Sequence, residues 1–271
     1  VMNPLSSDLG VMRQTLLFGG LESIVRNVNR KARNLRFFEV GNVYHFDEER
    51  YTTESPIKAY QQRYHLALWV TGHRVEGNWA HPDEESSFFE LKAHVENVLR
   101  RVGLQAGQVV TEVSDNNIFD KGLRMKTRGG KVLVDMGIVN HHVLRRFDIE
   151  QPVYYAEIDW TELMKATRKN SLLFQELSKY PAVSRDLALL VDANVEFAQI
   201  EQIARQTEKK LLKQVVLFDV YQGKNLPEGK KSYAVNFILQ DESRTLTDKA
   251  IEAIMQKLMK NLTTKLHAEL R

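Results

Sequence analysis

Apolar residues return every three or four positions at Leu16, Leu17, Leu21, Ile24, Val25 and Val28, which predicts a helix over Thr15–Ala32. Gly19-Gly20 either notches that helix or marks its true start. The pattern then changes. "LRFFEVGNVYHF" (Leu35–Phe46) is rich in aromatic and β-branched residues and predicts a strand bent at Gly41-Asn42. "YHLALWVTG" (Tyr64–Gly72) and "PVYYAEID" (Pro152–Asp159) predict further strands, and "RGGK" (Arg128–Lys131) a hairpin turn ahead of "KVLVDMGIV". Helical spacing returns at Phe88, Leu91, Val95, Val98, Leu99 and Val102, with Ser87 as N-cap and Glu90 placed for a capping box. Residues 1–170 therefore predict an α+β module on a mostly antiparallel sheet.

Beyond a polar stretch that sets a boundary near residue 170, residues 171–271 repeat a simpler order. A strand near Arg185–Val191 precedes a helix from Phe197 to about Lys210. "LLKQVVLFDVYQG" predicts a strand, "LPEGKK" a turn, and "SYAVNFILQD" a strand on which Tyr233, Val235 and Phe237 alternate. A long amphipathic helix carries Ile251, Ile254, Leu258 and Leu262 on one stripe, with Thr247 as its cap. "HAELR" can add an edge strand. Strand–helix–strand–strand–helix–strand is the ferredoxin-like βαββαβ pattern.

Composition narrows the function classes. The chain has 271 residues, no cysteine and a formal net charge of +3. Disulfides and thiolate metal sites are excluded, a cytoplasmic setting is expected, and no run approaches the roughly 18 apolar residues of a membrane span. The opening "VMNPLSSDLG" suggests a piece cut from a longer protein. No GxxxxGK[ST] loop, GxGxxG turn, HExxH pair or GxSxG elbow around Ser184 is present. His141-His142 are adjacent, about 100° apart on a helix, and cannot chelate as i, i+4 neighbours do. Asp83-Glu84-Glu85 is either a solvated charge run or a weak cation site. No catalytic residue and no metal ligand is assigned.

One stretch raises a different possibility. In "KYPAVSRDLALLV" a charged pair, Arg185-Asp186, sits at the lip of a buried-looking strand behind Pro181. Pro181, Ala182-Val183, Arg185-Asp186 and Leu187–Val191, followed later by Arg244, Thr245, Leu246 and Thr247, resemble the anticodon-binding domain ending the bacterial phenylalanyl-tRNA synthetase β subunit. "NPLSSDLGVMRQTLL", "LRFFEVGNVY", "SSFFELKAHVENVL" and "PVYYAEIDWTEL" resemble that subunit's class II synthetase-like core module. The chain departs from the family pattern at "FDKGLR" (Phe119–Arg124) and "NHHVL" (Asn140–Leu144).

The resemblance implies part of a phenylalanine–tRNA ligase, an α2β2 heterotetramer that uses ATP and Mg. This piece would scaffold the α subunit and hold the anticodon region of phenylalanine tRNA. Class II chemistry needs an arginine two residues before a motif glutamate, but Phe37 stands two before Glu39, and Arg36, three before it, points to the opposite face. The piece is therefore expected to be catalytically degenerate, with no active site or cofactor of its own. Leu16, Leu17, Leu21, Ile24, Val25 and Val28 either meet the partner subunit or fill the module's core. The RNA-binding candidates are Lys179, Arg185, Tyr221, Lys224, Lys230, Lys231 and Arg244, supplying cations for phosphate and one ring for a base. Lys224, Lys230 and Lys231 are alternatively a solvated loop, Asp186 a structural ion-pair member, and Arg205, Lys209, Lys210 and Lys213 a plain helix surface. The rival readings are a ferredoxin-like small-molecule regulatory protein and an active synthetase.

Overall fold

In the computed structural model, which describes residues 10–170, 176 and 178–270, the first apolar stripe forms α1 (Leu17–Val28). The helix runs unbroken through Gly19-Gly20. Gly20 is required there by packing, since a Cβ would lie 2.1 Å from Trp69 Cε2. Helix α1 belongs to the first of two units, Val1–Leu173 and Phe174–Arg271.

The first unit is built on a six-stranded sheet. Its strands are β1 (Leu35–Phe46), β2 (Tyr60–Thr71), β5 (Val109–Val113), β6 (Phe119–Thr127), β7 (Val132–Val139) and β8 (Val153–Asp159), while β3 (His73–Val75) and β4 (Glu84–Glu85) pair separately. The order is β1-β2-β8-β7-β6-β5, with every neighbouring pair antiparallel. Strand β1 pairs with β2 without a break from Leu35 to Phe46, so Gly41-Asn42 does not interrupt the ladder. The "RGGK" turn closes β6 onto β7, with Gly130 at φ +81 where a side chain would be strained.

Alternation along the strands loads both faces of this sheet. Ala67, Trp69, Val153 and Tyr155 pack with α1 and with Leu144 of α3 (His141–Arg146). Leu66, Val70, Ala156 and Ile158 face the other way, onto α2 (Phe88–Arg101) and α4 (Trp160–Thr167). Ser87 caps α2 by accepting from Glu90 N, but the Glu90 carboxylate does not complete the box because Arg36 has taken it.

The second unit has a four-stranded sheet ordered β10-β11-β9-β12, all antiparallel. Its chain order is β9 (Val183–Asp192), α5 (Phe197–Thr207), β10 (Leu212–Tyr221), β11 (Lys230–Leu239), α6 (Asp248–Leu266) and β12 (Glu269–Leu270). This is the ferredoxin-like split pattern, α+β like the first unit. Leu189, Val191, Tyr233, Val235, Phe237 and Leu239 pack against α5 and α6, leaving the opposite sheet face without helices. Helix α5 stops at Thr207, short of Lys210, because the Glu208 carboxylate accepts from Lys210 N and Leu211 N and turns the chain into β10. Thr247 caps α6, accepting from Ala250 N. Among the described residues no helix is long and apolar enough to cross a membrane.

The expected partner-facing stripe on α1 is corrected by this packing. Leu16, Leu17, Leu21 and Ile24 are fully buried in the first unit's own core, and Val25 and Val28 lie half-buried against it. An amphipathic stripe drives a helix onto whatever apolar face is nearest, and here that is the sheet. Each fully buried Leu or Ile contributes about 1.5–3 kcal/mol to that docking.

Candidate nucleic-acid interface

The helix-free face of the second unit is a natural platform for an extended ligand, and its residues follow from strand parity. Ser184, Asp186, Ala188, Leu190 and Asp192 of β9 lie opposite in sense to the core residues Leu187, Leu189 and Val191. On β11 the same face takes Lys230, Ser232, Ala234, Asn236 and Ile238. A register shift between Leu217 and Asp219 puts Asp219 and Tyr221 opposite Ala234 and Ser232, hence also on this face.

Its chemistry is not a basic trough. Lys230 is its one lysine among the described residues, 3.2 Å from Asp192 and 3.6 Å from Glu269, and the hydrogen bond it donates to Asp192 raises its pKa. Asp186 accepts from Asn236 Nδ2, which also donates to Ser184 Oγ. Asp219 adds a further exposed carboxylate beside Tyr221. Carboxylates repel phosphate, but with amide and hydroxyl neighbours they can pair with the donor edges of unstacked bases, which a tyrosine ring can stack.

The seven predicted RNA-contacting residues do not converge. Arg185 shares the parity of Leu187 and Leu189, so it leaves the helix side of the sheet, its Nη2 4.0 Å from Asp248 Oδ1 at the start of α6. Arg185 is thus off the open face, which its neighbour Asp186 occupies. The expectation for Lys231 is corrected: opposite Val191, it is 8% exposed, with Nζ 4.8 Å from the Tyr233 ring centroid. Both follow from parity, because a residue shares a face with those two positions away along its strand.

Two groups remain at opposite ends of the sheet. Lys179, Arg185 and Arg244 gather at one end, where Gln240 Nε2 donates to Tyr180 O at 2.8 Å and ties the approach to β9 against the turn after β11. In that turn the Ser243 hydroxyl and amide hold Asp241 below the usual carboxylate range, and Arg244 Nε donates to Asp241 at 3.2 Å. Tyr221, Lys224 and Lys230 stand at the other end. Arg185 pairs with Phe237, seven residues along β11 from Lys230, so the ends are roughly 23 Å apart at about 3.3 Å per residue. Asp219, Ser232 and Asn236 were missed by the sequence reading. Parity counted from Tyr221 finds Asp219, while the bulge beside it has no clear sequence signal.

At the strand compared with class II enzymes, the charged residues are directed into pairs within the unit. Arg36 points to the α2 side, donating to Glu90 Oε1 (3.0 and 2.9 Å) and to His73 O (2.8 Å). Phe37 packs into the α1 core, and Glu39 pairs with Arg13 at 2.6 Å. The buried groups at the start of α1 form an anchor. Glu157 accepts from Thr15 Oγ1 (2.6 Å), Tyr155 OH (2.6 Å) and Leu16 N (3.3 Å), with His65 Nδ1 at 2.8 Å. Burial pushes the Glu157 carboxyl up, but the bonds from His65, Thr15 and Tyr155 outweigh it and hold the pKa below 4.5. Burial, then Glu157, pushes the Tyr155 hydroxyl well up. Among the described residues no group of His, Cys, Asp and Glu could hold a metal. His141 instead bonds Asp120, and its ring lies tilted against that of His142, with centroids 3.9 Å apart.

A layered antiparallel α+β unit followed by a ferredoxin-fold unit with an open, hydrogen-bonding sheet face defines a two-unit α+β chain. Residues 1–160 match the family model of the phenylalanyl-tRNA synthetase beta chain CLM domain, and residues 178–271 that of the ferredoxin-fold anticodon binding domain. The chain belongs to the phenylalanyl-tRNA synthetase β-chain family. It is 57% identical over 271 residues to the phenylalanine–tRNA ligase beta subunit of Bacteroides thetaiotaomicron and 51% identical to that of Porphyromonas gingivalis. It is 32% identical over 275 residues to that of Clostridium acetobutylicum. Each alignment covers 100% of this chain, which spans about a third of these relatives' length, 33%, 33% and 32%.

Proposed function

We propose that this chain works as part of the β subunit of a phenylalanine–tRNA ligase, with residues 171–271 holding the anticodon region of the tRNA. The observation that carries the reading is the open face of the second unit, where the exposed Tyr221 and Asp219 and the half-buried Asn236, beside the buried Ser232, offer a ring and hydrogen-bonding groups to unpaired bases. Its net-acidic surface favours bases over phosphates on the face. The exposed cations Lys179, Arg185, Lys224 and Arg244 stand at the sheet ends, placed to hold backbone on either side. Residues 1–170 act as a class II-like scaffold for the α subunit in an α2β2 assembly. ATP and Mg serve an active site on that partner, since the Arg36–Phe37–Glu39 strand offers no free arginine to a nucleotide.

The partner's docking surface on this reading is the outer edge of β1. Phe38 and Val40 are 75% and 44% exposed there. They share the α2 side of the sheet with Arg36, but α2 and α4 pack mainly over β2, β7 and β8, and α2 reaches β1 through the Arg36–Glu90 pair, leaving Phe38 and Val40 exposed. The small-molecule regulatory alternative is not favoured, because the second unit matches an anticodon-binding domain.

The test compares tRNA binding by the whole chain and by a chain ending at residue 173. Loss of binding on truncation supports the assignment. Equal binding by the truncated chain overturns it.

A further inference from the structure

Among the described residues of the second unit, the exposed large apolar side chains are Phe218, Val220, Tyr221 and Leu270. Three of the four fall within one four-residue stretch. Strand β10 is the edge of its sheet, and Phe218 sits at its bulge, skipped by the register between Leu217–Val235 and Asp219–Ala234. A bulge releases one side chain from strict alternation and re-aims it. Here the released residue is a phenylalanine, 57% exposed and outside the apolar core, on an edge with no strand beyond it. Leaving a ring in water within an edge strand that already presents Tyr221 is unexplained by the packing of the domain.

We propose that Phe218 is a second base-stacking platform, taking an unpaired nucleotide of the bound RNA next to the one met by Tyr221. The inference rests on the anticodon-binding reading above and adds a residue to it. The chemistry favours a base over a phosphate or a peptide strand. The ring is uncharged, its neighbour Asp219 repels phosphate, and the bulge breaks the regular edge that an added strand needs. Stacking on a phenylalanine tolerates any base, so Phe218 supplies affinity and register, whereas the hydrogen-bonding groups around Tyr221 supply discrimination.

The test uses the full chain with the anticodon stem-loop of phenylalanine tRNA and a set of loops each carrying one abasic nucleotide. Phe218→Ala should weaken binding of the intact loop by about 10-fold or more, the range set by loss of one stacked base. Phe218→Trp should restore it. One abasic loop should lose its sensitivity to Phe218→Ala, because its stacking partner is already gone. Equal affinity of Phe218→Ala and the parent chain overturns the proposal, as does an effect that persists across every abasic loop, which would mark a structural role. If the parent chain binds no loop or tRNA at all, the anticodon reading fails first, an outcome distinct from either.

Discussion

The charge distribution of the second unit predicts how its RNA binding should respond to salt. Of the seven residues expected to contact RNA, Tyr221 carries no charge, Lys231 is buried on the helix side, and Lys230 is engaged by Asp192 and Glu269. Lys179, Arg185, Lys224 and Arg244 are left as exposed cations that could each neutralise a phosphate. For a single-stranded loop, four such contacts give a slope of log K against log salt of about −2.8, or about 50-fold weaker binding between ~50 and ~200 mM salt. Arg185→Ala should bring the slope to about −2.1 and the same loss to about 20-fold. Stability should hardly move, because the Arg185 guanidinium is half exposed and its carboxylate partner Asp248 is 4.0 Å away. Fluorescence anisotropy with labelled tRNA over a salt series reads both numbers. A slope of about −5 or steeper in the parent chain would refute the reasoning, since the phosphates would then lie on another surface. The run Arg205, Lys209, Lys210 and Lys213 would be the next place to look. A slope unchanged by Arg185→Ala would remove Arg185 from the phosphate contacts.

Other substitutions test the packing and the subunit surface. Leu21→Ala should destabilise the first unit by about 2–5 kcal/mol in urea denaturation, as expected for a fully buried leucine, and leave RNA affinity unchanged. Phe38→Asp combined with Val40→Asp should leave the melting temperature near that of the parent while abolishing co-purification with the α subunit; retained assembly would place the partner elsewhere. Glu157 has its folded pKa depressed below 4.5, so its anchor contributes fully above that value and fades as pH falls through the lower, folded pKa. The stability gap between the parent and Glu157→Gln, followed by denaturation at successive pH values, should therefore be constant near neutrality and shrink in acid. A gap that widened in acid would contradict the assigned direction.

Much of the fold was legible because local signals and burial agreed. The alternation of Tyr233, Val235 and Phe237 predicted β11 and its buried face, and Ser87 and Thr247 cap the helices their sequences suggested. Helix α1 shows where such reading stops. Its stripe was plain, but periodicity says that a face is buried without saying against what. The near sheet settles it, with Trp69 filling the space that Gly20 leaves. The C-terminal end of α5 likewise depended on one carboxylate, Glu208, choosing backbone amides that no propensity scale specifies.

The interface was harder for a related reason. Lys230 and Lys231 are neighbours in sequence and looked like one basic cluster, yet a strand sends them to opposite faces, one to carboxylates and the other onto a tyrosine ring. Arg185 and Asp186 are separated by the same geometry, the carboxylate taking the open face and the guanidinium the rim beside α6. Charge counted along the chain therefore overstated the positive potential of the sheet. Once strand register divides the residues, the same stretch of sequence describes a face that repels phosphate and offers hydrogen bonds, bounded at both ends by exposed cations. Such a division suits an RNA loop whose bases turn inward to the sheet while its backbone passes over the ends. On the proposed function, it also explains why a domain that binds a polyanion would need only a small net positive charge.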